Sequence, residues 1–292
     1  MSDKVVPGRH LWFFDYHTGG DSGLFLRISR LVHSEQTPIQ RIDIFDNPTL
    51  GRVFALDGIV MTTDADEFMY HEMLAHVAMF SHRNPRNVLI IGGGDGGTLR
   101  EVLKHPQVEK VTVCEIDEKV VQAAKQHLSS GQAFNNEKVQ VVFENGAEYV
   151  RQFKNAFDVI IVDSTDPSTS KGGYLFTQDF YKSCFEALKE DGVMTAETED
   201  PFYDAGWLKM AYKRISSVFP IVKVYHGYVP TYPSGFWSYI FASKNVDPIK
   251  DFRVSDAKNM SQQFRYYNEE IHVACFTLPN FLKNILAQEV RK

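Results

Sequence analysis

The sequence predicts an α/β chain: a doubly wound, mostly parallel sheet of Rossmann-like type with an antiparallel edge strand, preceded by a small β-strand domain. Three observations predict it. Short alternating or apolar runs with a turn dipeptide fill the first sixty-odd residues. From residue 86 onward, continuous apolar runs alternate with helical patterns, as buried parallel strands and their crossovers require. The last two strand patterns, near 221–229 and 235–243, follow one another with no helix between them.

In chain order, residues 24–33 and 39–46 alternate apolar and polar side chains, and 52–63 carries an Asp57-Gly58 turn between two apolar runs. At Asp64 the texture changes. Asp64 with Glu67 three residues on resembles a capping box, and Phe68, Met69, Glu72, Met73, His76 and Val77 follow at helical spacing. The division is therefore expected near residue 66, giving an N-terminal β-hairpin domain, 1–66, and a Rossmann-like domain, 67–292. Strands are expected at 87–91, 108–117, 139–143, 157–163 and 191–199. Helices are expected at 98–104, 118–128, 147–153, 177–189 and 204–219. An antiparallel terminal pair on such a sheet is typical of S-adenosylmethionine-dependent methyltransferases.

Composition narrows the function classes. The 292 residues carry 31 Lys plus Arg against 37 Asp plus Glu, a net charge of -6, which argues against a nucleic-acid-binding face. The three cysteines, Cys114, Cys184 and Cys275, form no CxxC pair, so neither a disulfide framework nor a zinc spacing is expected. No signal-like leader and no apolar run long enough to span a bilayer is present, and a cytoplasmic protein is the expectation. No HExxH, GxSxG or Cys-His pattern marks a metal centre or a covalent nucleophile.

The chemistry concentrates at strand ends. Gly92, Gly94 and Gly97 form G-x-G-x-x-G between a buried strand and a helix, where a backbone can approach a ligand closely. Glu115 ends the next strand, where a carboxylate can accept from both ribose hydroxyls. Without a ligand, the same residues would make a tight turn and an exposed acid. Asp95 inside the glycine loop sets a negative charge where a pyrophosphate or an amino-acid carboxylate would sit, and so favours a cationic nucleoside. Asp163 and Asp166 follow at the end of the fourth strand of the unit. Three acids round one cleft repel one another unless cations bind between them, although Asp also caps turns well. Tyr70 and the 231–237 run add aromatic faces of the kind that suit alkylammonium chains, or that simply pack a core.

Together these residues resemble the polyamine aminopropyltransferase family. The matching segments are Tyr70-His71-Glu72, the run 92–106, residues 114–117, 158–167, 231–235 and Tyr266-Tyr267-Asn268 with His272, and the resemblance spans nearly the whole chain. It implies transfer of an aminopropyl group from decarboxylated S-adenosylmethionine, a co-substrate, to putrescine, with no cofactor, metal or nicotinamide. It implies that Asp163 is the catalytic proton acceptor, assisted by Tyr70 and the backbone near Ser164. By the same resemblance, Asp95 and Asp163 hold the aminopropyl amine, Gln40 and Glu115 bind the nucleoside, and Asn145-Gly146 meets the adenine. His71, Asp166, Glu197, Tyr232 and Trp237 are implied to line the amine channel. A homodimer or homotetramer is implied as well, with neither membrane nor nucleic-acid partners.

Three departures from the family pattern stand out. Asn145 replaces an Asp common at the adenine position, and its amide oxygen is expected to accept from the base. The loop after Pro167 reads Ser-Thr-Ser-Lys-Gly-Gly. Glu197 replaces a common Gln, which puts a full charge at the far end of the channel and leaves cadaverine or agmatine open as alternative acceptors. A methyltransferase and a non-catalytic binding protein are the remaining alternatives.

Overall fold

The computed structural model describes residues 10–17, 20–164 and 173–290. Two antiparallel units open the chain. Strands β1 (Leu11–His17) and β2 (Ser22–Ile28) pair as a hairpin. Strands β3 (Arg30–Gln36), β4 (Arg41–Asn47), β5 (Gly51–Leu56) and β6 (Ile59–Thr63) form a four-stranded meander. The Asp57-Gly58 turn is as expected: both residues have positive φ, 50° and 86°, which the right-handed twist of a tight hairpin requires.

Two details differ from expectation. The run 24–33 is not one strand, because the chain breaks at Ser29, passing from the hairpin to the meander. β1 was not expected at all. Its side chains are partly exposed on both faces, so its apolar residues show no period of two.

Helix α1 (Glu67–Ser81) starts after Asp66, whose side chain makes no capping bond. Asp64 is therefore not the cap; it accepts the Arg52 N–H at 2.8 Å. Asp66 holds a distant loop instead, accepting from Thr63 (2.6 Å) and from both the N–H and hydroxyl of Thr231 (2.8 and 2.7 Å). A cap bond of the expected kind is lost because a tertiary partner takes the carboxylate.

The second unit alternates β7 (Asn87–Gly92), α2 (Gly97–Leu103), β8 (Lys110–Glu115), α3 (Glu118–His127), β9 (Val139–Phe143), α4 (Gly146–Val150), β10 (Phe157–Asp163), α5 (Gln178–Ala187), β11 (Leu188–Glu197) and α6 (Ala205–Ser216). β12 (Ile221–Tyr228) and β13 (Phe236–Ser243) follow. The sheet order is β12-β13-β11-β10-β7-β8-β9, with β13 antiparallel to both neighbours and all other pairs parallel. This is the methyltransferase-like arrangement expected. The order reverses between β7 and β10, and ligands bind outside the carboxyl ends of strands at such a point.

Alternation along the strands feeds two cores. Val88, Ile90, Val159 and Ile161 join the layer holding α1, whereas Leu89, Ile91, Ile160 and Val162 face the layer holding α5 and α6. Ile42, Ile44, Phe54 and Leu56 of the meander belong to the α1 layer, so the two units share one core. α1 is buried nearly all round as a result. Three C-terminal helices, α7 (Val254–Met260), α8 (Glu269–Ala274) and α9 (Asn280–Val290), complete the described chain. They had no sequence expectation, the first two being too short to show a period. All three cysteines are free and buried, and no helix among the described residues is long and apolar enough to cross a membrane.

Candidate active site

The reversal of strand order brings the glycine loop against the end of β10. Gly92 has φ +83°, and a Cβ there would lie 2.0 Å from the Asp163 carbonyl oxygen. Only glycine allows this approach. The Gly93 N–H then donates to that same carbonyl at 2.8 Å, tying the loop to Asp163. Within the loop, the Asp95 carboxylate accepts the Gly97 N–H at 2.6 Å, and its carbonyl accepts the Ser130 hydroxyl at 2.6 Å.

Five ionisable side chains meet here. Asp163 Oδ1 accepts the Tyr70 hydroxyl at 2.8 Å, while Oδ2 is buried without a hydrogen-bond partner among the described residues. Burial, and then the neighbouring Asp95 charge, push the Asp163 carboxyl above the usual range, although His71 opposes them. His71 lies between two carboxylates, with Nδ1 2.6 Å from Glu67 and Nε2 3.3 Å from Asp95. Burial would discharge the ring, but Asp95 and Glu67 overcome it and hold its pKa well above 6.5. Asp95 goes the opposite way from Asp163. Burial raises it, yet the His71 charge and the Gly97 N–H together bring it below the usual carboxylate range.

One atom from each of His71, Asp95 and Asp163 lies within 4.8 Å of the others, a spacing that a divalent cation would tolerate. A protonated imidazole has no lone pair to offer a metal. With its pKa held up by Asp95 and Glu67, His71 favours that protonated form over metal ligation.

All the expected nucleoside residues line one cavity of about 950 Å³: Gln40, Gly92, Gly94, Asp95, Glu115, Asn145 and Gly146. Gln40 is oriented by Asp117, which accepts from it at 3.2 Å and from Thr37 at 2.7 Å. Glu115 accepts the Asp117 N–H at 3.0 Å, and burial pushes its carboxyl up to about 7. Asn145 differs from expectation. Its Oδ1 caps α4, accepting from Ala147 (2.9 Å) and Glu148 (3.4 Å), so the oxygen expected to accept from a base is already used. Its amide nitrogen is the polar group that remains.

A second cavity of about 1350 Å³ shares Met61, Tyr70, Ser164 and Tyr232 with the first, and continues to Glu197, Trp237 and Asp200. Tyr232 donates to the Met61 carbonyl at 2.6 Å, and its ring meets Trp237 edge-on at 4.5 Å. Glu197 is buried, and it accepts the Glu199 N–H at 3.2 Å. His71, expected along this channel, lines the first cavity rather than the second, with Nε2 3.3 Å from Asp95. Asp166 and residues 168–172 of the loop lie outside the described residues.

Sequence reasoning missed several contributors. Glu67 sits four residues before His71 on one helix face, a spacing that signals the pair. Glu199 and Asp200 also line the second cavity, Glu199 with φ +67°, a strained backbone of the kind found at functional sites. Asp15 and His17 reach that cavity from β1 and left no signal in the sequence.

The comparisons agree with this geometry. Residues 67–254 match the family model described as spermine/spermidine synthase domain, and residues 11–64 match the one described as spermidine synthase tetramerisation domain. The polyamine aminopropyltransferase of Thermotoga petrophila is 63% identical over 283 residues, covering 97% of this chain and 96% of its own. That of Thermotoga neapolitana is 63% identical over 287 residues, covering 98% and 97%. A solved spermidine synthase in complex with the transition-state analogue AdoDATO superposes with a TM-score of 0.94 at 60% identity, over 99% of both chains. The spermidine synthase of Thermotoga maritima gives 0.93, again at 60% identity, over 99% of this chain and 98% of its own. With matches over both of its structural units, this chain belongs to the spermine/spermidine synthase family of polyamine aminopropyltransferases.

Proposed function

We propose that the protein transfers the aminopropyl group of decarboxylated S-adenosylmethionine to putrescine, giving spermidine and 5′-methylthioadenosine. The observation that carries this is the Asp95–Asp163 pair beside the junction of a nucleoside-sized cavity and an aromatic, acid-lined one. A co-substrate without the methionine carboxylate suits that pair, because an added anion there would meet two carboxylates.

In the reaction, a neutral putrescine nitrogen attacks the aminopropyl carbon next to sulfur. The carbon–sulfur bond breaks and its electron pair neutralises the sulfonium. Before attack the nitrogen must lose a proton, since an ammonium has no lone pair. Asp163 takes it: the carboxyl is buried, burial and the Asp95 charge raise its pKa, and Oδ2 has no hydrogen-bond partner among the described residues while Tyr70 holds Oδ1. The remainder of catalysis is alignment of two cations for in-line displacement.

Gln40, Asp95, Glu115 and the Asn145-Gly146 turn bind the nucleoside, and Tyr70, Ser164, Glu197, Tyr232 and Trp237 bind the amine. Asp166 belongs to the same proposed amine set. No cofactor or metal takes part. The division near residue 66 separates an assembly unit from the catalytic one, and the chain works as a homo-oligomer; the tetramerisation-domain match over 11–64 supports both statements.

The acceptor is tested with a panel of putrescine, cadaverine and agmatine. Putrescine should give the highest kcat/KM, and better turnover with agmatine would replace it. Glu115 supplies a second test. Ribose hydroxyls donate to the ionised carboxyl, so binding should take a proton off a group whose free value is about 7. Affinity for 5′-methylthioadenosine should fall about tenfold between pH 8 and pH 6. Calorimetry should find this slope flattened in Glu115→Gln; an equal slope in that variant would free Glu115 of the role.

A further inference from the structure

From His71, which lines the first cavity beside Asp95, a chain of alternating charges runs away from the proposed substrate sites. His71 Nε2 lies 3.3 Å from Asp95, and Nδ1 lies 2.6 Å from Glu67. Glu67 Oε2 also accepts from Arg100 at 2.8 Å, and Arg100 Nε reaches Glu101 at 2.8 Å. The ring of His71 is 1% exposed, and Gly97 packs flat against it with no room for a side chain. Tyr70 meets it edge-on at 5.3 Å, and Asp163 completes its surroundings. Every charged group facing the ring from these elements is thus a carboxylate, and the nearest cation, Arg100, is spent on Glu67.

We infer that Glu67, braced by Arg100, is a positioning residue that keeps His71 doubly protonated, so that His71 serves as a fixed cation behind Asp95. It acts through electrostatics alone, neither donating a proton to substrate nor binding a metal. Its work is to separate two carboxylates that would otherwise share one proton. With the imidazolium in place, Asp95 stays ionised for the aminopropyl ammonium, and Asp163 keeps its capacity to accept a proton. The opposite directions in which Asp95 and Asp163 are shifted agree with this division.

Removing the Glu67 charge leaves Asp95 as the ring's remaining ion-pair partner, so the ring should lose its proton at a lower pH than in the wild type. Asp95 and Asp163 would then face each other unscreened, and the carboxyl that must be ionised would titrate at higher pH. The acid limb of kcat, at saturating co-substrates, should therefore move up by about one pH unit in Glu67→Gln, a loss of about tenfold on that limb. Glu67→Asp should restore most of it. Nitrogen NMR of the labelled His71 ring should find it doubly protonated from pH 6 to pH 9 in the wild type and titrating within that window in Glu67→Gln. A wild-type ring that is neutral at pH 8 overturns the inference. So does a folded Glu67→Gln enzyme slowed equally at every pH, because a merely structural role would do that. The kinetic arm rests on the aminopropyl-transfer proposal, whereas the ring titration needs no turnover, so the two can fail separately.

Discussion

Asp163→Asn should lower turnover by about a thousandfold at pH 7.5 while leaving the fold intact, the loss expected when a general base is removed. The asparagine keeps the size of the side chain and still accepts the Tyr70 hydroxyl, so the packing at the end of β10 should hold. Stability should move in the other direction. The native Asp163 carboxyl titrates above its unfolded value. Its contribution to stability is therefore full below the unfolded pKa and is lost as pH rises through the native one. Asparagine escapes that loss. The variant should melt no lower than the wild type at pH 8, with its advantage shrinking toward pH 4. A melting curve and a product assay on one preparation check both halves. A variant that retains half its turnover would put the proton acceptor elsewhere.

Gly97→Ala should be nearly as damaging, for a reason that helix propensity alone reverses. Gly97 opens α2, where alanine is intrinsically better than glycine by about 1 kcal/mol. A Cβ there, however, would lie 2.1 Å from His71 Cε1 and 2.3 Å from Nδ1. The ring has little room to step aside, because Glu67 holds Nδ1 at 2.6 Å, Asp95 lies 3.3 Å from Nε2 and the site is closed to solvent. Overpacking of this kind costs about 1–3 kcal/mol, so sterics should win. Shifting the ring also shifts Asp95, and a misplacement on the scale of an ångström costs about a hundredfold in rate. A lower melting temperature together with a fall in kcat is expected. A Gly97→Ala enzyme with wild-type kcat and a higher melting temperature would mean that the ring is not held as described.

The parts of this molecule legible in the sequence are those with a local cause. The strand Phe157–Asp163 was readable to the residue because a strand buried on both faces is a continuous apolar run with sharp ends. Asp95, Glu115 and Asp163 were readable as a group because each ends a strand or sits in the glycine loop, and the parallel topology then carries all three to one edge.

What was not legible depends on partners far away in the chain. Gln40 is oriented by Asp117, 77 residues on, and Glu67 is braced by Arg100, 33 residues on. Asp66, at the start of α1 where Asp64 was expected, spends its carboxylate on Thr231, a contact spanning 165 residues. The Asn145 oxygen was assigned to a ligand when the nearest unsatisfied donors were the first N–H groups of its own helix. The family resemblance implied His71 along the amine channel, and the geometry shows it lining the first cavity. Successive helical residues point about 100° apart, so Tyr70 faces the cavity junction while His71 turns toward Glu67 and Asp95.

The central claim is that the cleft is built for a nucleoside cation lacking the methionine carboxylate. Its most direct test is to incubate the purified protein with putrescine and either decarboxylated or ordinary S-adenosylmethionine, and to identify the products by mass spectrometry. Spermidine and 5′-methylthioadenosine in equal amounts from the decarboxylated compound, with no transfer from the ordinary one, is the predicted result. Methylated putrescine from ordinary S-adenosylmethionine, or no aminopropyl product from the decarboxylated form, would contradict it.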